Sequence, residues 1–336
     1  MDREQEDMQF LGLFDIYLES YKIIFNFKRI FSKITLAFIL PLSLIFLANI
    51  WVSDFILSKI IDTMINRLLF QKGTYHYDEL SDRISSEWAA FWLVQFVYLT
   101  FYLVFNLLST SAVVYTVASV FIGIGRDVTF GKVMRVVPMV SKRLIVTFLC
   151  AFLAIFLYIV VLGLPIYLWI VTIKHVDING LFYFLVIVIL YVFGLVYMTL
   201  VMWLAGIVSV LEDIKGFKAM MKSRNLIQGK MWTAIVIMLI QDIAIFGIRK
   251  LFESQVVHTG TFGVAGRFAF GFLCLLMLFS VLLFGLVIET VIYFVCKSYH
   301  HENINKLSLS DHLDEVFQGE YIPTKANDDQ LEKIDV

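Results

Sequence analysis

The stretch VSVLEDIKGFKAMMKSRNLIQGK (208–230) lies between two apolar runs, LFYFLVIVILYVFGLVYMTLVMWLAGI (181–207) and MWTAIVIMLIQDIAIFG (231–247). A helix needs about 20 apolar residues to cross a bilayer, at a rise of about 1.5 Å per residue. The flanking runs have this character, whereas the stretch between them carries five basic residues and two acids. We therefore predict that 208–230, the second basic connection, is a turn between two membrane spans.

The second basic connection also has a helical pattern of apolar residues. At about 100° per residue, one side of the helical wheel collects the apolar residues Ile214, Phe217, Met220, Met221 and Ile227. The other side collects Lys215, Lys218, Lys222 and Lys230. Arg224 falls on the apolar side and breaks the pattern. This arrangement predicts an amphipathic helix that lies in the membrane interface.

The composition of the whole chain excludes a soluble globular domain. Of its 336 residues, 60% are hydrophobic and 16% are charged, where soluble domains have about 25% charged residues. Six apolar runs are long enough to span a bilayer: 34–53, 88–119, 144–173, 181–211, 231–248 and 267–296. We predict an all-α, polytopic membrane helix bundle with six transmembrane helices and amphipathic interfacial helices. Pro41 and Pro165 should each kink a span, because proline lacks a backbone donor.

Three regions follow from these runs. Residues 1–33 form an N-terminal region with an interfacial helix over 10–31, residues 34–297 the membrane domain, and residues 298–336 an acidic, flexible tail.

Lys and Arg number 15 in 1–33, 120–143 and 208–230, and eight in the alternate connections. The positive-inside rule then predicts that both termini are cytosolic. We expect a secretory-pathway or plasma membrane, and a cytosolic protein partner for the tail.

The connection over 120–143, the first basic connection, has a similar layout. Its sequence GRDVTFGKVMRVVPMVSKRL (125–144) matches the later stretch at an offset of 86 residues. Either a weak internal repeat or convergence of two cytosolic turns explains the match. Both connections should contact anionic membrane lipids. The candidate headgroup contacts are Lys132, Arg135, Lys142, Arg143, Lys215, Lys218, Lys222 and Lys230.

Polar groups inside the spans are candidates for transport chemistry, because charge in hydrocarbon is costly. Asp242 and Glu289 lie at similar predicted depths in the last two spans, and Gln241 adjoins the first of them. These groups could share a proton, bind a cation or bind a lipid headgroup. Alternatively, they could form hydrogen bonds between packed helices.

No catalytic motif is present, so we predict no enzymatic activity, cofactor, metal site or nucleic-acid partner. The three cysteines form no disulfide framework or metal-binding spacing. A site built from His76, His175 and His258, one from each outer loop, is a remote alternative.

Three segments carry a resemblance to known proteins. FLGLFDIYLESYKIIFNFKRIFSKITLAFILPLSLIFLA (10–48), SVLEDIKGFKAMMKSRNLIQGK (209–230) and SLSDHLDEVFQGEYIP (308–323) resemble a family of plant six-span membrane proteins of unassigned function. The middle segment is also distantly similar to the membrane domain of some bacterial glycerophosphodiester phosphodiesterases. That likeness covers the membrane part only, without the catalytic barrel, so it implies topology and no phosphodiesterase activity.

These observations favour a structural or adaptor role for the protein, with basic helices on anionic lipid. The alternative is a transporter or channel that uses Asp242 and Glu289.

Overall fold

The computed structural model describes residues 8–70, 74–122, 129–172, 178–212, 214–258 and 263–300. Within these residues every regular element is helical. The α-helices are α1 Leu13–Asn26, α2 Lys28–Ile34, α3 Leu40–Leu68, α4 Tyr75–Ile122, α5 Phe130–Tyr158, α6 Leu164–Thr172, α7 Ile178–Leu211, α8 Phe217–Ile227, α9 Met231–Phe252 and α10 Val264–Tyr299. Three π turns, Thr35–Ile39, Ile159–Gly163 and Glu253–Val257, adjoin them.

Six helical segments are long and apolar enough to cross a bilayer. They are Lys28–Leu68, Tyr75–Phe121, Val140–Leu168, Phe182–Leu211, Met231–Val257 and Val264–Tyr299. The all-α class and the six candidate spans are thereby confirmed, and the chain has the build of a multi-pass membrane protein. The helices run well beyond the apolar runs: α4 has 48 residues, about 72 Å of helix, against a hydrocarbon core of about 30 Å.

Each of the two prolines that should kink a span directly follows a π turn and one further residue. Thr35–Ile39 directly precedes Leu40–Pro41, and Ile159–Gly163 directly precedes Leu164–Pro165. A proline ring clashes with the carbonyl four residues earlier, and that carbonyl lies inside the π turn in both cases. The wider turn therefore accommodates each proline without ending the span.

Contacts divide the chain into two compact units. The first comprises residues 1–30, 110–238 and 286–336, as far as they are described, and the second comprises 31–109 and 239–285. In the first unit the side chains are most deeply buried over 112–118 of α4, 200–211 of α7 and 287–296 of α10. The remainder of α7 exposes large apolar side chains from Phe182 to Phe193. Packing in this unit is therefore concentrated at the end of α7 that leads into the second basic connection.

Away from that buried end, α5 and α7 are joined by an aromatic contact. The rings of Tyr158 and Tyr191 stack with centroids 5.5 Å apart, and the Tyr158 hydroxyl donates to the Tyr191 carbonyl over 3.1 Å. A Cβ atom at Gly194 would collide with Tyr158. Glycine at this position allows the close approach.

The second unit has its own buried apolar cluster and two hydrogen bonds between polar side chains of α3 and α4. Leu47, Ile50, Ile248, Phe252, Cys274 and Leu278 form the cluster, which joins α3, α9 and α10. Between α3 and α4, Gln95 Nε2 donates to Ser53 Oγ over 2.6 Å, and Thr63 Oγ1 donates to Glu87 over 3.1 Å. Such hydrogen bonds satisfy polar groups between apolar helices.

The segment predicted to form an N-terminal interfacial helix contains the helix α1. One face buries Ile16, Ser20 and Ile23. The opposite face exposes the apolar stripe Phe14, Leu18, Tyr21 and Phe25. A helix with one face on protein and an exposed apolar face on the other side suits the membrane interface.

Candidate functional site

Two glycines define the short helix of the second basic connection. Gly216 precedes α8 with φ of 65°, and Gly229 follows it with φ of 98°. Both values lie where residues with a side chain are strained. The Gly216 amide donates to Thr147 Oγ1 of α5 over 2.9 Å. At Gly229 a Cβ atom would overlap the ring of Tyr299, so glycine is also required there by packing.

The structure divides the apolar side of α8 into two faces. One face, with Met220, Leu226 and Ile227, is buried against the first unit. Ser223 lies on this face and donates to the Val201 carbonyl over 2.6 Å.

A second apolar face of α8 is exposed. Phe217 is 57% exposed and Met221 66% exposed, and Arg224 follows at the next turn of the same stripe. Arginine on an exposed apolar stripe can extend its charged end into water while its stem covers the apolar surface. The position of Arg224, an exception on the helical wheel, is therefore consistent with an interfacial helix.

An ion network attaches α8 to α7 and α10. Glu212, directly after α7, binds Lys222 Nζ at 2.6 Å, accepts from Lys297 Nζ at 2.9 Å and accepts from the Tyr293 hydroxyl at 2.7 Å. Only 13% of the Glu212 side chain is exposed. One carboxylate is thus shared by two ammonium groups.

The network lowers the pKa of Glu212. Burial alone would raise this pKa, but the hydrogen bond from Lys222, the charge of Lys297 and the hydrogen bonds from Lys297 and Tyr293 outweigh burial. The folded protein therefore favours the ionised carboxylate below the ordinary pKa of about 4.5.

A cavity of about 620 Å³ opens beside α8. This α8 cavity is lined by Lys218, Met221, Lys222, Asn225, Leu226, Gln228 and His300. His300 Nε2 lies 3.1 Å from the Leu226 carbonyl and 2.9 Å from the Gln228 carbonyl. Because a carbonyl only accepts, Nε2 carries the proton, and the histidine fixes the chain just after α8. The cavity combines two ammonium groups with amide groups, which is chemistry suited to an anion.

The lysines predicted as headgroup contacts have different environments. Lys218 is exposed, and it forms no salt bridge or hydrogen bond with a residue in the described part of the chain. Lys222 is held by Glu212, and Lys230 Nζ lies 3.4 Å from the Leu11 carbonyl and 6.0 Å from the centre of the Tyr299 ring. Lys215 is exposed just before the helix. Lys218 is the lysine best placed for a ligand in the α8 cavity.

The first basic connection differs from the separate interfacial helix expected by analogy. Residues 130–158 form one continuous helix, α5, which carries Lys132, Arg135, Lys142 and Arg143 and contains Pro138. Residues 123–128 lie outside the described residues. No glycine within the described residues of this connection has a positive φ, so the helix is not interrupted there before it enters its span.

The polar residues predicted to lie inside the membrane belong to different units: Glu289 to the first, and Gln241 and Asp242 to the second. Glu289 is buried at 6% exposure, and the Trp203 side chain hydrogen-bonds to it. Asp242 is exposed, while Gln241 Oε1 is buried without a hydrogen-bond partner among the described residues. The Gln241 side chain packs tightly on Gly285.

The sequence placed His300 at the headgroups just after the last span, but it did not predict the contact of His300 with α8 or the roles of Glu212 and Lys297. The available signal was their position, because each of these polar residues lies at the end of an apolar run. Their convergence required the fold. His175, His301 and His312 and the tail from residue 301 lie outside the described residues, whereas His258 lies beside Asp54 and Glu253.

Comparisons with known proteins identify one family. Residues 1–334 match the family described as "Domain of unknown function (DUF8558)". Searches of curated proteins and of solved structures gave no match. A match over almost the whole length shows membership, so the chain belongs to the DUF8558 family of domains of unknown function.

Proposed function

We propose that this multi-pass protein is a non-enzymatic membrane component that binds anionic lipid headgroups in the α8 cavity. Its role would be to organise lipid or partner proteins at the membrane surface. The observation that carries the proposal is the α8 cavity, which brings Lys218, Lys222, Asn225, Gln228 and His300 together beside α8.

Charge and shape support a headgroup as the ligand. The ammonium group of Lys218 can reach a phosphate oxygen, while Lys222 stays positioned by Glu212. Amide groups of Asn225 and Gln228 can donate to the remaining oxygens. Met221 both lines the cavity and belongs to the exposed apolar stripe. A lipid can therefore place its headgroup in the cavity and its acyl chains along Met221 and Phe217.

The interfacial position of α8 would concentrate such a ligand. The anionic surface of a membrane attracts basic residues by about 1 kcal/mol each, and apolar side chains of an interfacial helix insert by about 5–10 Å. The exposed apolar stripe of α1 would strengthen the attachment of the protein to the membrane surface.

Fluorescent phosphatidylserine tests the proposal with full-length protein in neutral detergent. Loss of one ammonium contact should weaken binding by about fivefold, which corresponds to about 1 kcal/mol. We therefore expect Lys218→Gln to weaken binding by that amount, and Lys33→Gln, an exposed lysine of α2 outside both basic connections, to have little effect. Equal effects of the two variants would contradict a specific cavity.

Competition experiments show whether the ligand is a lipid headgroup or a soluble anion. Unlabelled phosphatidylserine should displace the probe, whereas phosphatidylcholine should not. Displacement by inorganic phosphate at similar concentrations would indicate a soluble anion site and contradict headgroup binding.

The orientation of the chain in the membrane and its resemblance to other membrane proteins are also part of this proposal. The excess of Lys and Arg on one set of connections supports cytosolic termini in a secretory-pathway or plasma membrane. A glycosylation acceptor introduced beside Lys218 should stay unmodified, and one beside His76 should be modified. The likeness to plant six-span proteins and to the bacterial membrane domain, and a protein partner for the acidic tail, remain predictions.

Transport is the second candidate function. The buried carboxyl group of Glu289 and the buried, unsatisfied oxygen of Gln241 are polar groups in segments that can span a bilayer, where they are costly. Transport predicts that Asp242→Asn and Glu289→Gln abolish proton or cation flux in reconstituted vesicles without lowering the thermal midpoint. Instability of both variants would instead assign these groups to helix packing.

A further inference from the structure

A cluster of metal-ligating side chains lies in the second unit, and neither the proposed function nor the sequence motifs account for it. Asp54 comes from α3, while Glu253 begins the π turn that follows α9 and His258 directly follows that turn. One ligand atom from each residue lies within 4.8 Å of the others. Asp54 and Glu253 are half-buried and His258 is exposed, so the cluster is accessible from the protein surface.

The π turn is the device that aligns two of these residues. The His258 amide donates to the Glu253 carbonyl over 2.9 Å, a bond that spans five residues. On a regular α-helix, residues five apart would point about 140° away from each other, at about 100° per residue. The wider π turn reduces this angle and places both side chains towards α3. Single π turns of this kind are frequent at functional sites.

A hydrogen bond from one ring nitrogen of His258 leaves the other ring nitrogen for a metal. Its Nδ1 lies 3.0 Å from the Glu253 carbonyl, and a carbonyl only accepts, so Nδ1 carries the proton. The lone pair is then on Nε2, which is free to coordinate. A histidine ligand commonly has its second ring nitrogen bonded to a backbone carbonyl in this way.

The charges near the cluster favour a cation without making the site strongly acidic. Asp54 and Glu253 supply two carboxylates, and Lys250 Nζ pairs with Glu253 Oε2 at 2.8 Å. The second oxygen of Glu253 stays available to an ion. Arg249 also acts on Glu253 through its charge. These two cations should limit the affinity for a metal rather than abolish it.

We propose that Asp54, Glu253 and His258 bind one divalent transition-metal ion, with Zn²⁺ as the representative. One imidazole and two carboxylates suit borderline cations such as Zn²⁺ better than Ca²⁺ or Mg²⁺. Ligand bonds of about 2.0–2.2 Å require a contraction of the cluster by roughly 1 Å from its present spread. Solvent supplies the fourth ligand.

The test is a Zn²⁺ titration of metal-stripped, full-length protein in detergent, with a chromophoric chelator as competitor. We expect one ion per chain, with at least tenfold weaker binding in His258→Gln and in Asp54→Asn. His76→Gln, which changes an exposed histidine beside Glu79, should bind Zn²⁺ like the wild type. Ca²⁺ at the same concentration should not compete.

Two further measurements separate this site from nonspecific binding. Lys250→Gln should bind Zn²⁺ more tightly, because it removes the cation that shares Glu253. Zn²⁺ should raise the thermal midpoint of the wild type and leave that of His258→Gln unchanged. Unchanged stoichiometry and affinity in His258→Gln and Asp54→Asn, or an equal loss in His76→Gln, would overturn the proposal.

Discussion

The two basic connections have similar charge patterns and different structures. In the first, Lys132, Arg135, Lys142 and Arg143 lie along α5, which runs without interruption from Phe130 to Tyr158. In the second, a separate helix of 11 residues lies between Gly216 and Gly229. The two connections therefore share a charge pattern, whereas the glycines decide whether the chain makes a helix of its own there.

Anchoring differs between the connections as well. The second is attached by Glu212, which binds Lys222 and Lys297, and by the serine and glycine contacts to α7 and α5. In the first, a pair of buried serines, Ser111 and Ser141, lies 3.4 Å apart between α4 and α5. An ion network at the end of a span can hold a short helix in place, while a continuous helix is held by its own backbone.

Replacing Gly229 should have the largest effect on stability. Gly229→Ala places a side chain at a positive φ and against the Tyr299 ring. We expect a loss of about 2–4 kcal/mol in the free energy of unfolding, from strain and overpacking. The thermal midpoint in detergent, followed by circular dichroism, measures this loss.

The matched control is Gly131→Ala in the first connection. A Cβ atom there meets nothing within 4 Å, and alanine is favoured over glycine in a helix by about 0.5–1 kcal/mol. The midpoint should therefore stay the same or rise. Equal midpoints for Gly229→Ala and the wild type would refute the role assigned to the glycine at the end of α8.

Neutralising Glu212 should have the next largest effect. Glu212→Gln leaves Lys222 and Lys297 close together without their shared carboxylate, and half-buried donors that lose a charged partner cost about 1–3 kcal/mol. The corresponding control is Glu19→Gln, which removes an exposed partner of Lys22 in α1 and should change stability by less than about 0.5 kcal/mol. Similar midpoints for the two variants would mean that the network contributes no more than a surface pair.

A pH effect should be the smallest of the three. The folded-state pKa of Glu212 is lowered, so its contribution is complete above the ordinary pKa of about 4.5 and disappears as the pH falls through the folded value. The difference in midpoint between wild type and Glu212→Gln should hold from about pH 6 to about pH 4.5 and shrink below it. A difference that stayed constant down to about pH 3 would show that the carboxylate charge is not responsible.

The sequence was sufficient for the spans and for the helical nature of α8. Apolar runs of adequate length locate spans because the bilayer requires them, and a wheel with lysines on one side predicts an amphipathic helix. The wheel could not separate the buried face with Met220 from the exposed stripe with Met221, since both are apolar. That separation depends on what α8 packs against.

The contacts that build the candidate sites were not predictable from one sequence. Glu212, Lys222 and His300 meet because three helices end at one place, and the sequence does not show which span ends are neighbours. Asp54 and His258 likewise meet only through the packing of α3 on a π turn. The sequence did not show the continuity of α5, because basic residues that end an apolar run are equally compatible with a helix that continues through them.

Nitroxide accessibility along α8 tests most directly whether this helix lies in the membrane interface. Single labels are introduced at Phe217→Cys, Met221→Cys, Lys218→Cys and Asn225→Cys in protein reconstituted into vesicles, with Cys150, Cys274 and Cys296 replaced by alanine. Labels at 217 and 221 should collide mainly with oxygen dissolved in the lipid, and labels at 218 and 225 mainly with a water-soluble nickel complex. Equal accessibility to the nickel complex at all four positions would contradict the interfacial placement of α8 and the headgroup site that depends on it.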